Sequence, residues 1–150
     1  MISYRTITQS TLLAAAVTLA GCAWMSSMTG SDTMSMKNAL TGAQEVPAVT
    51  TSGSGSVDSS FDKSTNSLSW TVTYSGLSGP VTAGHIHGPA AAGANAGVVI
   101  PFTGDLSSPI RGKATLTAAQ VADLMAGRYY VNLHTAKNPG GEIRGQLTGK

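Results

Sequence analysis

Leu68-Ser69-Trp70-Thr71-Val72-Thr73-Tyr74 decides the fold, because large apolar side chains alternate there with hydroxyls at every second position. Successive side chains of an extended strand point to opposite faces. Leu68, Trp70, Val72 and Tyr74 therefore line one face, and Ser69, Thr71 and Thr73 the other. The polar run before them, Asp62-Lys63-Ser64-Thr65-Asn66-Ser67, is turn chemistry. It pairs this strand with another over Ser56–Phe61.

Outward from that hairpin, further strands are expected near residues 38–43, 81–87, 98–102, 112–116, 128–134 and 142–147. Many of the 18 glycines and 6 prolines fall between them. Such punctuation points to an all-β fold, an antiparallel Greek-key-like β-sandwich of about eight strands. One stretch is helical instead. Thr117 offers an N-terminal cap, Gly127 a stop, and Val121, Leu124 and Met125 recur at helical spacing between them. A single short helix covers one end of the sandwich. No internal repeat is evident, and residues 37–150 suffice for one independently folding domain.

The first 36 residues do not belong to that pattern. Met1 to Ser10 carries one positive charge, Arg5, and no acid; Thr11 to Ala20 is a short apolar run ending at Gly21-Cys22. A spanning helix needs about 20 apolar residues, so this segment reads as a secretory signal over 1–21. Leu19-Ala20-Gly21-Cys22 resembles the lipobox of bacterial lipoproteins. That resemblance implies cleavage before Cys22 and lipidation of its sulfur, with acyl chains holding the chain to a membrane. Ala23, rather than Asp, follows Cys22, which by analogy with enteric lipoproteins directs the protein to the outer membrane, facing the periplasm. Residues 22–36, rich in Ser, Thr and Met, are expected to be a flexible tether.

Composition excludes several functions. Cys22 is the sole cysteine, so an anchored domain has no disulfide and no thiol nucleophile. Nine Lys and Arg against seven Asp and Glu leave a formal charge of +2 with no basic stripe, and aromatics are sparse, which argues against nucleic acid. Serine-triad, phosphate-loop and zinc-protease motifs are absent.

Three histidines carry the chemistry. In Gly84-His85-Ile86-His87-Gly88, the i and i+2 imidazoles project from one face about 7 Å apart. Tyr130 and Asn132 share the side of His134 on another strand. If the two strands pair or face each other, three imidazoles converge, a donor set suited to copper, zinc, nickel or iron. The bland alternative is three hydrogen-bonded residues at a sheet rim. Met25, Met28, Met34 and Met36, four of the six methionines, could add soft Cu(I) donors if the tether folds back; otherwise they merely fill a linker. They favour copper over zinc. A second group, Glu45, Glu142 and Arg144, is expected to form a structural ion pair at the sheet edge, Glu142 and Arg144 sharing a face at i and i+2 and Glu45 reaching Arg144 or Arg128.

Several longer stretches resemble the CHRD family, named after repeats in the animal protein chordin. They are Leu40-Thr41-Gly42-Ala43-Gln44-Glu45-Val46-Pro47, Tyr74-Ser75-Gly76-Leu77, Ala83-Gly84-His85-Ile86-His87-Gly88-Pro89-Ala90, Leu124 to Thr135, and Asn138-Pro139-Gly140-Gly141-Glu142-Ile143-Arg144-Gly145-Gln146. The resemblance spans nearly all of the expected domain and implies its fold more than its function. In chordin the repeats accompany growth-factor binding. A weaker similarity, the H-x-H pair on a sandwich strand, is to copper/zinc superoxide dismutase. That enzyme uses more histidines than this chain owns, so the similarity implies copper on a sheet edge and not the activity.

Three functions follow. The first is a lipid-anchored envelope protein that stores, delivers or buffers copper through His85, His87 and His134. The second is a scaffolding module that contacts an envelope partner without metal. The third, ranked last, is a three-histidine hydrolase or oxidase, whose proton donors could only be Tyr130, Glu45 or Glu142.

Overall fold

The structure is a computed structural model that describes residues 32–149. The signal segment, Cys22, Met25 and Met28 lie outside those residues. Eight strands run in the order β1 (Thr33–Thr41), β2 (Ser54–Asp62), β3 (Ser67–Ser75), β4 (Val81–His87), β5 (Val98–Pro101), β6 (Ile110–Thr115), β7 (Tyr129–Thr135) and β8 (Ile143–Leu147). A single helix, α1 (Ala118–Met125), precedes β7.

All the strands form one antiparallel sheet in the order β5-β4-β7-β8-β1-β2-β3-β6. The two layers expected of a sandwich are thus two parts of one ladder, curled nearly into a barrel. Its edge strands, β5 and β6, are joined by residues 102–109. Phe102, just after β5, stacks on Trp70 of β3 with ring centroids 5.3 Å apart. Tyr74 of β3 donates its hydroxyl to the Leu106 carbonyl at 2.8 Å. The connection therefore closes most of the gap between the edges.

The alternation in β3 is realised as read. Leu68, Trp70 and Val72 are buried, opposite Phe61, Ser59 and Val57 of β2. The turn between them is held by Asp62 Oδ1, which accepts from the Ser64 amide at 2.8 Å and the Thr65 amide at 3.2 Å. Asn66, at φ 53, completes it in the left-handed region that Asn tolerates. Leu40, Ile86, Ile110, Leu133, Ile143 and Leu147 join the same core. Each such side chain contributes about 1.5–3 kcal/mol on burial.

α1 begins with a reciprocal cap: Thr117 Oγ1 accepts from the Gln120 amide, and Gln120 Oε1 from the Thr117 amide. Gly127, at φ +66, ends it. Leu124 is buried and Val121 packs on the core, but Met125 is exposed, so the apolar face is narrower than the spacing suggests.

Two expectations are corrected at the start of the domain. β1 begins at Thr33, so residues 33–36 are strand and not tether. Met34 and Met36 alternate with Thr33, Ser35 and Lys37 and point inward. Met36 is 3% exposed within the core, and Met34 packs against it. Met36 is thus a core side chain, and Met34, half-buried, is carried on a strand and not on a tether.

Candidate metal centre

β4 and β7 are neighbours, and their register sets the site. His85 lies opposite Asn132, His87 opposite Tyr130 and Ala83 opposite His134. His85 and His134 are therefore diagonal neighbours on one face, within reach of each other. Between them Ile86, Val131 and Leu133 point into the core, fully buried.

The histidine face is itself covered. Every residue of β7 is buried: Tyr129, Val131 and Leu133 lie in the core, and on the opposite face residues 88–97 fold back over Tyr130 and β8. Arg144 of β8 donates to the Asn95 side chain at 2.9 Å and to the Ala94 carbonyl at 2.7 Å. Gln146 donates to the Ala90 carbonyl at 2.9 Å. Arg144 also stacks its guanidinium 3.4 Å from the centre of the Tyr130 ring, whose other neighbour is His87, parallel to it at 4.9 Å. An Arg–Tyr–His stack thus clamps one imidazole in place.

The carbonyl partners fix how two imidazoles present their nitrogens. His87 Nδ1 donates to the Ala96 carbonyl at 3.0 Å, and His134 Nδ1 to the Pro139 carbonyl at 2.9 Å. A carbonyl only accepts, so each neutral ring carries its proton on Nδ1 and a lone pair on Nε2. His87 Nε2 is buried with no partner at all. His134 Nε2 lies 3.1 Å from His85 Nδ1 and 3.0 Å from Asn132 Oδ1.

One ligand atom from each histidine lies within 4.8 Å of the others. Burial, with the neighbouring imidazoles, holds His85 below the usual histidine pKa. Burial and the adjacent His87 do the same for His134, against the opposing pull of Pro139. Neutral rings at pH 7 are the form that binds a metal. Backbone carbonyls on the far nitrogens are the outer support that ligating histidines usually carry. The residues present therefore fit a metal ion, with three protein donors and room for another ligand.

Tyr130 and Asn132 lie beside the histidines as expected. The expected ion pair does not form. The salt bridges among the described residues are Lys37–Asp58 and Arg128–Asp123. Glu142 turns instead to hydroxyls, accepting from Thr51 at 2.6 Å, from Ser78 at 2.5 Å and from Thr135 at 2.6 Å. Burial alone would raise its pKa, but these bonds outweigh it and hold Glu142 down at about 2. Arg144 is committed to residues 94 and 95. Its charge still acts on Glu45, which burial raises to about 7 against the pull of Arg144 and the Asn132 amide.

Sequence reasoning missed the cover formed by residues 88–97 and the Ala96 and Pro139 carbonyls, which no residue type announces. A hollow of about 500 Å³ over β1, β2 and β3 is lined by Met36, Trp70, Lys37, Asp58 and hydroxyl side chains. It lies on other strands than the histidines, and among the described residues it holds no group of metal ligands. No curated protein and no solved structure matches this chain significantly. The family model for the CHRD domain matches residues 36–147, which takes in all three histidines, and the chain belongs to that family.

Proposed function

We propose that this CHRD-domain protein binds one transition-metal ion, preferentially copper, through His85, His87 and His134. The observation that carries this reading is the buried His87 Nε2, left without a partner while Nδ1 is anchored to Ala96. A buried acceptor with no bond costs about 1–3 kcal/mol, and an ion bound there removes that cost. Copper follows from the donor set: among divalent first-row ions, nitrogen sites hold Cu(II) most tightly. With Cys22 lipidated after export, the domain would be anchored in the cell envelope, at the outer membrane, and serve copper storage, delivery or tolerance. Met25 and Met28 remain as soft donors for Cu(I).

Calorimetric titration of the chain with Cu(II) and Zn(II) at neutral pH tests this. One equivalent of copper should bind more tightly than zinc, and each of H85A, H87A and H134A should weaken it sharply. Full affinity in all three variants contradicts the reading and favours a scaffolding module without metal. The anchor is tested separately: the full chain should take up labelled fatty acid, and C22S should not.

A further inference from the structure

We infer that Asn132 supplies a fourth donor to this ion through its amide oxygen, and that Glu45 is the positioning residue that keeps the oxygen turned towards the histidines. The inference rests on the metal-binding reading above and names a ligand that reading lacks.

The contact around His134 is the starting point. Its Nδ1 proton is committed to Pro139, so its Nε2 offers a lone pair. Yet Asn132 Oδ1, which also only accepts, stands 3.0 Å from that lone pair. In the metal-free protein His85 Nδ1, 3.1 Å from the same nitrogen, can donate to that lone pair, which leaves Asn132 Oδ1 beside it as an unused acceptor. A metal ion in place of that proton would be met by all three atoms. Donors about 2.0 Å from an ion lie about 2.9 Å apart at right angles and about 3.3 Å apart at the tetrahedral angle. His134 Nε2 lies 3.1 Å from His85 Nδ1 and 3.0 Å from Asn132 Oδ1, and both distances fall within that range.

The amide must also be held in the right sense. The Asn132 side chain is buried at 3% exposure, and its Nδ2 borders the same small space as Glu45 Oε1. Glu45 Oε1 has no hydrogen-bond partner of its own, and in its ionised form it favours the Nδ2 end of the amide across that space and leaves Oδ1 for the histidines. Gly141 keeps that space open. Any Cβ there would collide with both Glu45 Oε1 and Asn132 Nδ2, and its φ of +127 is a glycine conformation.

Cu(II) binding by the full chain, read by competition affinity and by the paramagnetic resonance spectrum, tests the assignment. N132A should weaken copper about tenfold or more and change the copper spectrum, while coupling to three imidazole nitrogens persists. N132D, which keeps the shape and offers a stronger oxygen donor, should restore or exceed wild-type affinity and guards against misfolding of the alanine variant. E45Q should shift the spectrum towards that of N132A, because a glutamine can accept or donate and no longer selects one amide end. If N132A and N132D bind like wild type with its spectrum while H134A loses copper, the inference fails and the three-histidine reading stands. If the wild type binds no copper, both fail.

Discussion

His87 Nδ1 donates to the carbonyl of Ala96 nine residues along the chain, and this bond leaves His87 Nε2 buried without a partner. The covering segment thus does two things at once. It buries His87 beside Tyr130 while His85 stays half-buried, and it fixes the tautomer that a metal needs. Three predictions follow from the site and its supports, and one from the start of the domain.

His87→Ala should separate structure from binding. Without metal, the variant loses a stacked ring but also an unsatisfied nitrogen, so its stability should stay within about 1 kcal/mol of wild type. With copper at 100 times the dissociation constant, the wild type should gain about 2.7 kcal/mol and melt roughly 10 °C higher. H87A should gain almost none of this. Thermal melts with and without copper and chelator read the difference.

Glu45 should make the metal-free protein less stable as pH rises. Its folded pKa of about 7 lies above the ordinary 4.5, so between those values the folded state binds the extra proton. The stability this provides is fully present below pH 4.5 and lost as pH rises through about 7. His85 and His134 act with the opposite sign. Their folded values are lowered, so their contribution is present above about 6.5 and lost on acidification below it. Denaturant melts of wild type and E45Q cancel the histidine part. The wild type should lose roughly 3 kcal/mol relative to E45Q between pH 4.5 and 8, an order-of-magnitude figure.

Glu142 should stabilise the fold through its charge. Its pKa is depressed to about 2, so its contribution is present above 4.5 and lost as pH falls from there towards 2. Glu142→Gln keeps the shape but removes the charged acceptor shared by Thr51, Ser78 and Thr135. It should cost about 1.5–3 kcal/mol in urea unfolding at pH 7, and much less at pH 2.

Met36 should matter to the core and not to copper. Met36→Ala should destabilise by about 2–5 kcal/mol, while Met36→Leu should cost under about 1.5 kcal/mol. Copper affinity of the leucine variant should equal that of wild type in the titration. A loss of affinity would place this sulfur among the ligands.

The fold was legible where one face alone is buried. β3 declared itself by alternating Trp70 and Val72 with hydroxyls, and α1 by the Thr117 cap and the Gly127 stop. The histidine pairing was legible for the same reason, since His85, His87 and His134 share faces by the two-residue period. Met34 and Met36 alternate in the same way, but their Ser, Thr and Lys neighbours gave the stretch the composition of a linker. The ion pair failed because β8 begins at Ile143, after Gly141 turns the backbone, and Glu142 meets hydroxyls brought from 91 and 64 residues away. Such partners follow from the curling of the sheet and not from local pattern.

The most direct measurement is a ring-nitrogen NMR spectrum of the histidines in the full chain, before and after one equivalent of Zn(II), chosen because it is diamagnetic. Before metal, the neutral rings of His87 and His134 should each carry their proton on Nδ1. One equivalent should then shift one nitrogen in all three rings together. Three spectra unchanged by zinc, and by Cu(I) after it, would contradict the account.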